Sequence, residues 1–171
     1  EEFYPLPQLQ RCFHAVLREE RRDVFNYGRV EGYPPLREAI ARQMQLLGIN
    51  ATGEDVFITS GSQQALAIAA RVLIEPGDHV ITEEPTYSGA LSVFKILRAR
   101  LLSVPMEPDG LDVRMLEDLL RKYNPKLIYT IPNFHNPTGI TSSTDKRRRL
   151  MHLAETHRIP VIEDDVCGGL R

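Results

Sequence analysis

The sequence predicts an α/β fold of three layers, in which helices cover both faces of a mostly parallel sheet. Short apolar runs alternate along the chain with segments of helical periodicity. These runs lack the strict apolar–polar alternation of strands with one face in water, which indicates a sheet buried on both faces. The length of 171 residues is sufficient for one domain with a real core.

Two helices flank a loop in the first part of the chain. Apolar residues at helical spacing predict a helix over 7–19, and "LREAIARQMQLLG" predicts an amphipathic helix that ends at Gly48, a suitable C-cap. The intervening "NYGRVEGYPPL" has the Gly and Pro content of a loop. We assign residues 1–50 to these N-terminal elements and residues 51–171 to the sheet-containing domain.

Strands and helices alternate after residue 50. The predicted strands are "DVFITSGS" with a Gly-Ser loop at its end, "HVITEE", "LLSVPM", "KLIYTI" and "PVIEDD". The predicted helices are "QQALAIAARVLI", which is almost wholly apolar and so expected to be buried, "DVRMLEDLLRKY" and "TDKRRRLMHLAETH". The stretch "PTYSGALSVFKILRAR" is predicted to be a loop followed by a helix. Because ligands of such sheets sit beyond the carboxyl ends of the strands, the residues after each strand form the candidate site.

The composition argues against several classes of partner. A net charge of -2 gives the whole chain no strong attraction to nucleic acid or to a membrane surface. No apolar run approaches the roughly 20 residues needed to cross a bilayer. The two cysteines, Cys12 and Cys167, are far apart in sequence, which favours a reducing cytoplasm over a disulfide scaffold.

The first candidate residues follow "DVFITSGS". A Gly-Ser turn opens directly into an apolar helix, and backbone N–H groups at a helix N-terminus attract anions. Ser62 and Gln63 are therefore candidate donors to a phosphate. The alternative is an ordinary helix start in which Ser60 or Ser62 is the N-cap.

Tyr87 follows the second predicted strand, in "EEPTYSGA". An aromatic side chain at the carboxyl edge of a sheet can stack on a flat ligand ring. The alternative is a tyrosine that packs its ring over the core and leaves its hydroxyl in water.

The stretch "IPNFHNPTG" follows the fourth predicted strand and is rigid for a loop. Pro132 and Pro137 fix φ and remove backbone donors, and Pro137 restricts Asn136 to an extended conformation. The amide of Asn136 is therefore a candidate donor to a phenolate-type oxygen. The alternative is a purely structural connection from strand to helix.

Three acidic residues end the last predicted strand. Because side chains alternate along a strand, Glu163 and Asp165 share one face and Asp164 takes the other. A carboxylate at this place could hold a protonated ring nitrogen or a metal, or it could belong to a solvated strand end. We expect no metal, because the histidines lack ligand-like spacing and hard cations gather more oxygen ligands.

In their joint order, "SGSQ", "PTYSG", "PNFHNPTG" and "EDD" resemble the motifs of fold-type-I enzymes dependent on pyridoxal 5'-phosphate, and more narrowly those of the class I/II aminotransferase family. The resemblance covers nearly the whole chain. "YGRVEGYPPLREAIA" and "EDDV" are similar to two branches, the broad-specificity and aminoadipate-type aminotransferases and the aminotransferase-like domain of MocR-type regulators in the GntR family. The family resemblance implies a truncated fold-type-I large domain, of which residues 51–171 are the first part.

The resemblance implies a role for each candidate residue at the strand ends. Ser62 and Gln63 would bind the cofactor phosphate, and Tyr87 would stack on the pyridine ring. Asn136 would donate to the phenolic oxygen of the ring. Asp164 would pair with the protonated ring nitrogen. Its carboxylate would favour the charged form of that nitrogen, because opposite charges attract.

The resemblance also implies a homodimer and shows one departure. Tyr27 would reach the phosphate bound to the neighbouring subunit, so residues 1–50 would include a dimer-contacting loop, in which Gly32 matches a conformational glycine. Cys167 takes the cofactor-binding position where family members carry a tyrosine that bonds the ring oxygen. A thiol is a shorter and weaker donor than a phenol.

The Schiff-base lysine of the family would lie beyond Arg171. The four lysines of this sequence, Lys95, Lys122, Lys126 and Lys146, lie in predicted helices or in helix-to-strand loops. We therefore expect a fragment that is inactive alone and an activity that belongs to the full-length protein.

Two functions follow from these inferences. The first is a cytoplasmic aminotransferase that acts on an amino acid and a 2-oxo acid, and this is the function we favour. The second is the effector domain of a transcription regulator, which would contact DNA only through a separate winged-helix domain upstream of residue 1. A carbon–sulfur lyase on the same fold is a third alternative.

Overall fold

The computed structural model of the chain describes residues 4–170. The chain divides into two compact units, residues 1–58 and residues 59–171. Among the described residues, no helix combines the length and the apolar character that a membrane crossing requires.

The first unit is helical. Its elements are α1 (Leu6–Glu20), a 3-10 helix (Arg21–Phe25), α2 (Pro34–Leu46) and a second 3-10 helix (Gly53–Asp55). Arg37 is buried, and its Nε donates to the carbonyl oxygens of Gly53 at 2.9 Å and Val56 at 2.8 Å. Gly32 has φ +106°, and a Cβ there would lie 2.4 Å from Ile58 Cγ1, so only glycine fits this turn. The two helices predicted from the sequence are confirmed.

Within the described residues, the second unit is a five-stranded sheet with four α-helices and one 3-10 helix (Gly168–Leu170). Its helices are α3 (Ser62–Leu73), α4 (Ser88–Ile96), α5 (Val113–Lys122) and α6 (Thr144–His157). Its strands are β1 (His79–Glu84), β2 (Arg100–Glu107), β3 (Gly110–Leu111), β4 (Leu127–Thr130) and β5 (Val161–Glu163). The strand order is β3-β2-β1-β4-β5, and every pair is parallel except β2 with β3.

Apolar clusters cover both faces of this sheet. One cluster joins α3 and α4 to Val80, Leu127 and Tyr129 of the strands. The other joins α5 and α6 to Ile81 and Ile128. Adjacent strand residues enter opposite clusters because side chains alternate across a strand. The three-layer αβα architecture with a mostly parallel sheet is therefore confirmed.

Two sequence predictions are wrong, one for the segment before α3 and one for α3 itself. "DVFITSGS" forms no strand, because no strand lies beside it within residues 4–170, and Ile58 N–H donates instead to the carbonyl oxygen of Glu31 at 2.9 Å. The helix α3 is only partly buried: Leu66 and Ala70 are buried, whereas Val72 is 79% exposed. A helix on one face of a sheet buries one stripe, whatever the polarity of its other side. The short β3 was not predicted.

Candidate cofactor site

A cavity of about 290 Å³ lies at the carboxyl ends of the parallel strands. Its walls come from the start of α3, the loop before α4, the loop after β4 and the loop after β5. The lining residues are Ser62, Tyr87, Ile131, Asn133, Phe134, Asn136, Asp164, Val166 and Cys167. Five of the seven candidate residues therefore line one cavity, although they are spread over more than a hundred residues of sequence.

The N-terminus of α3 opens at this cavity. The N-cap is Gly61, and no side chain among the described residues caps the helix, so the proposed capping by Ser60 or Ser62 is wrong. The first-turn N–H groups and the Ser62 hydroxyl are suited to bind an anion. Gln63 does not line the cavity, and its Nε2 donates to the carbonyl oxygen of Gly89 at 2.9 Å.

Tyr87 forms another wall as the N-cap residue of α4. Its ring packs against the apolar cluster that includes Phe94 and Tyr129. A Cβ at Gly89 would lie 2.4 Å from the Cζ of Tyr87, so the ring lies directly against the Gly89 backbone. Tyr87 is thus fixed by packing and also borders the cavity. Its stacking on a flat ligand ring stays a prediction.

The loop after β4 folds back on itself before it reaches α6. His135 N–H donates to the carbonyl oxygen of Ile140 at 2.8 Å, and Phe134 N–H donates to Thr141 Oγ1 at 3.1 Å. Gly139 adopts φ +73°, a conformation that favours glycine. The loop therefore presents the exposed Asn136 side chain to the cavity from a constrained backbone.

A buried polar pair supports this loop, and it was not predicted. Glu83 is 2% exposed and accepts from Thr130 Oγ1 at 2.6 Å and from Ile131 N–H at 2.9 Å. His135 is 1% exposed, and its Nε2 lies 3.1 Å from Glu83 Oε2, within ion-pair distance although no aligned hydrogen bond joins the two atoms. The other ring nitrogen, Nδ1, lies 2.8 Å from Thr138 Oγ1. The pair thus connects β1 to the start and the middle of the loop.

Asp164 is held by two consecutive residues of β4. Its backbone N–H donates to the carbonyl oxygen of Thr130 at 2.9 Å, and its Oδ2 accepts from the Tyr129 hydroxyl at 2.7 Å. Burial of Tyr129, followed by its hydrogen bond to Asp164, raises the pKa of the Tyr129 hydroxyl far above its ordinary value. The hydroxyl therefore stays protonated, and remains a donor, at neutral pH.

Arg147 of α6 reaches the same loop from the other side of the sheet. Its guanidinium donates to Pro132 O at 2.8 Å, to Asn133 Oδ1 at 2.7 Å and to Ser142 O at 3.0 Å. Asn133 Nδ2 in turn donates to Asp165 Oδ1 at 2.6 Å. Arg147 is half-buried, although it stands in a run of basic residues on α6.

Tyr27 lies in the first unit and is fully exposed. Its predicted contact with a neighbouring subunit stays a prediction. Within residues 4–170, no three side chains of His, Cys, Asp or Glu gather in a way that would bind a metal ion.

Sequence and structure comparisons agree on one family. The family model for "Aminotransferase class I and II" matches residues 2–170. The aromatic-amino-acid aminotransferase 1 of Thermococcus litoralis is 36% identical over 99% of this chain, and the chain spans 42% of its length. An HTH-type transcriptional regulator of Bacillus subtilis is 32% identical over 99% of this chain, which spans 35% of its length.

A solved structure has the same fold. The α-aminoadipate aminotransferase of Thermus thermophilus, complexed with N-(5'-phosphopyridoxyl)-L-leucine, superposes with a TM-score of 0.88 and 35% identity over 96% of this chain. The chain covers 41% of that structure. The chain belongs to the class I and II aminotransferase family.

Proposed function

We propose that this chain forms part of the cofactor site of a pyridoxal 5'-phosphate-dependent aminotransferase, which moves an amino group from an amino acid to a 2-oxo acid. One observation carries the proposal. A helix N-terminus, an aromatic ring, an amide and a carboxylate from four separate segments border one cavity of about 290 Å³. That volume is at the lower end of the range of about 300–1,000 Å³ for small-molecule sites.

The donor set of this cavity fits the cofactor end to end. The α3 N-terminus and Ser62 would hold its phosphate, with Gln63 holding the start of α4 in place through Gly89. The ring of Tyr87 would lie against the pyridine ring. Asn136 would donate to the phenolic oxygen, with Cys167 beside it as the weaker second donor.

Asp164 has the central chemical role in this proposal. When bound, the cofactor supplies an electron sink for the carbanion that forms at the substrate α-carbon. An ionised Asp164 would hold a proton on the ring nitrogen, and a protonated ring is the stronger sink. Asp164 is half-buried, and partial removal of a charge from water costs free energy, which supports a functional reason for its position.

We further propose the organisation of the whole protein. Residues 1–50 would supply helices and a dimer-contacting loop with Tyr27, and residues 51–171 would be the first part of the cofactor-binding domain of a cytoplasmic homodimer. The 171-residue chain alone would not transaminate. None of its four lysines lines the cavity among the described residues, and Lys146 is engaged with Glu107, Asp109 and the carbonyl oxygen of Leu111.

The second candidate function is an effector domain of a transcription regulator. The 32% identity to an HTH-type transcriptional regulator over 99% of this chain favours it. Cys167, which replaces the expected tyrosine, is consistent with a site that binds the cofactor but turns over slowly. Such a protein would contact DNA through a separate domain.

Amino-group transfer by the whole protein tests the proposal. The protein would be incubated with the cofactor, a panel of amino acids and several 2-oxo acids, and products would be identified by mass spectrometry. We expect transfer from at least one amino acid, and a loss of about 100-fold or more in Asp164→Asn. Asp118→Asn, an exposed position on α5, is the matched control and should retain the parent rate.

Each outcome of this experiment has a defined meaning. Near-parent turnover by Asp164→Asn refutes the electron-sink role of Asp164. Tight cofactor binding without transfer from any amino acid favours the regulator over the enzyme. Absence of cofactor binding contradicts both functions.

A further inference from the structure

We propose that Tyr129 is a positioning residue for Asp164, which it holds so that the second carboxylate oxygen faces the ring nitrogen of the cofactor. The inference rests on the proposed function, since it concerns the same site. Tyr129 does not line the cavity and would not touch the cofactor. Its effect would pass entirely through the carboxylate of Asp164.

The core fixes the position of the Tyr129 hydroxyl. Tyr129 is 1% exposed, and its ring lies edge-on to Phe94 with the ring centroids 5.7 Å apart. It belongs to the same cluster as Leu127, two residues earlier on the same face of β4. The donor of the 2.7 Å hydrogen bond to Asp164 Oδ2 is therefore anchored in the sheet, whereas Asp164 begins a loop.

Tyr129 is the sole donor to the Asp164 carboxylate among residues 4–170. An ionised carboxylate has two oxygens that each accept about two hydrogen bonds. With Oδ2 bound to Tyr129 and the backbone N–H bound to Thr130, rotation of the side chain is restricted. The Oδ1 atom has no partner of its own among these residues, which leaves it available to a ligand.

Most titratable groups around Tyr129 and Asp164 are acidic. They include Glu83, Tyr87, Glu163, Asp165 and Cys167, while His135 contacts Glu83 and Arg147 contacts Asn133. No Lys, Arg or His lines the cavity in the described part of the chain. A hydrogen bond to a carboxylate favours its ionised form. The hydrogen bond from Tyr129 to Asp164 is thus in place before the cofactor arrives.

The test is the affinity of the whole protein for pyridoxamine 5'-phosphate, measured as a function of pH by fluorescence titration. Tyr129→Phe keeps the buried ring and removes only the hydroxyl. We expect its affinity at pH 7 to fall about tenfold, the effect of losing one hydrogen bond to a charged group. The acidic pH at which affinity is lost should rise by about one unit, because the carboxylate is protonated more easily without its donor.

Two controls separate positioning from a structural effect. Tyr123→Phe removes a hydroxyl at the opposite end of the sheet, where the Tyr123 ring packs on His79, and should match the parent. In an Asp164→Asn background, Tyr129→Phe should change affinity less than about twofold, because the two residues act through one interaction. A tenfold loss in that background would overturn the inference.

A second measurement covers the case in which Tyr129→Phe fails to fold. Replacing Tyr129 by 3-fluorotyrosine retains the ring and provides a more acidic hydroxyl that donates more strongly. The acidic limit of binding should then move to lower pH, and an unchanged limit would contradict the inference. If the parent binds no pyridoxamine 5'-phosphate, the proposed function fails; if Asp164→Asn weakens binding and both Tyr129 variants match the parent, only this inference fails.

Discussion

The two ends of the parallel sheet differ in how many polar side chains they bury. At the carboxyl end, Glu83, Thr130, Asn133 and His135 are all buried. At the amino end, β1 begins with a half-buried His79, and the next two residues of β1 and the first two residues of β4 are apolar and buried. Burial of a polar group costs free energy unless it is hydrogen-bonded. Concentration of such groups at one end therefore indicates that they maintain a loop geometry that an apolar core would not provide.

Two Asn-Pro pairs flank β4, and they allow the two ends of one strand to be compared. Asn124-Pro125 precedes β4 and Asn136-Pro137 follows it, and both asparagines are exposed. Only Asn136 borders the cavity. The dipeptide alone therefore does not identify a site; its position relative to the strand direction does.

The largest expected effect is at Glu83. Glu83→Ala leaves Thr130 Oγ1, Ile131 N–H and His135 without their buried partner and should lower the free energy of unfolding by about 3–5 kcal/mol. The matched control is Glu84→Ala, the exposed neighbour, which should stay within about 0.5 kcal/mol of the parent. Denaturant unfolding of the whole protein measures both. An equal loss of unfolding free energy in His79→Ala, at the amino end, would contradict the difference between the two ends of the sheet.

A smaller effect is expected at Arg147. Arg147→Met keeps an unbranched apolar stem and removes the donors to Pro132, Asn133 and Ser142, which should cost about 2 kcal/mol of stability. Hydrogen exchange should also become faster in the loop at residues 131–139. Arg148→Met, on the exposed side of α6, is the control. Indistinguishable exchange rates in the two variants would show that Arg147 does not hold the loop.

The smallest effect on folding, and a specific one on binding, is expected at Asn136. Asn136→Ala should change stability by less than about 0.5 kcal/mol because the side chain is exposed. Cofactor affinity should fall about fivefold, the effect of about 1 kcal/mol, and the absorbance spectrum and pH titration of the bound cofactor should shift. Asn124→Ala should leave stability, cofactor affinity, and the spectrum and pH titration of the bound cofactor unchanged. A bound-cofactor spectrum and titration identical to the parent's would remove Asn136 from the site.

Local patterns predicted most of the fold. The helices α1 to α6 and the strands β1, β2, β4 and β5 follow from apolar periodicity and from caps such as Asp112, whose carboxylate accepts from the N–H groups of Arg114 and Met115. "DVFITSGS" failed because an extended apolar run becomes a strand only if a neighbour pairs with it. Pairing is a long-range property that the run itself does not carry.

The residues that border the cavity were predictable, and those that support it were not. Ser62, Tyr87, Asn136 and Asp164 each directly follow a turn signal or a strand, so the topology alone indicates their position. Glu83, Tyr129 and Arg147 act from within a strand or a helix, and apart from Ser142 their hydrogen-bond partners are about 14 to 48 residues away. The one available signal was Glu83, a charged residue inside a predicted strand.

A crystal structure of the whole protein with pyridoxal 5'-phosphate tests the central claim most directly. The account predicts the phosphate at the N-terminus of α3 beside Ser62 and the ring nitrogen within hydrogen-bond distance of the Asp164 carboxylate. It also predicts that the Tyr129 hydroxyl still donates to Asp164. A cofactor bound elsewhere, or bound with its ring nitrogen turned away from Asp164, would contradict the account.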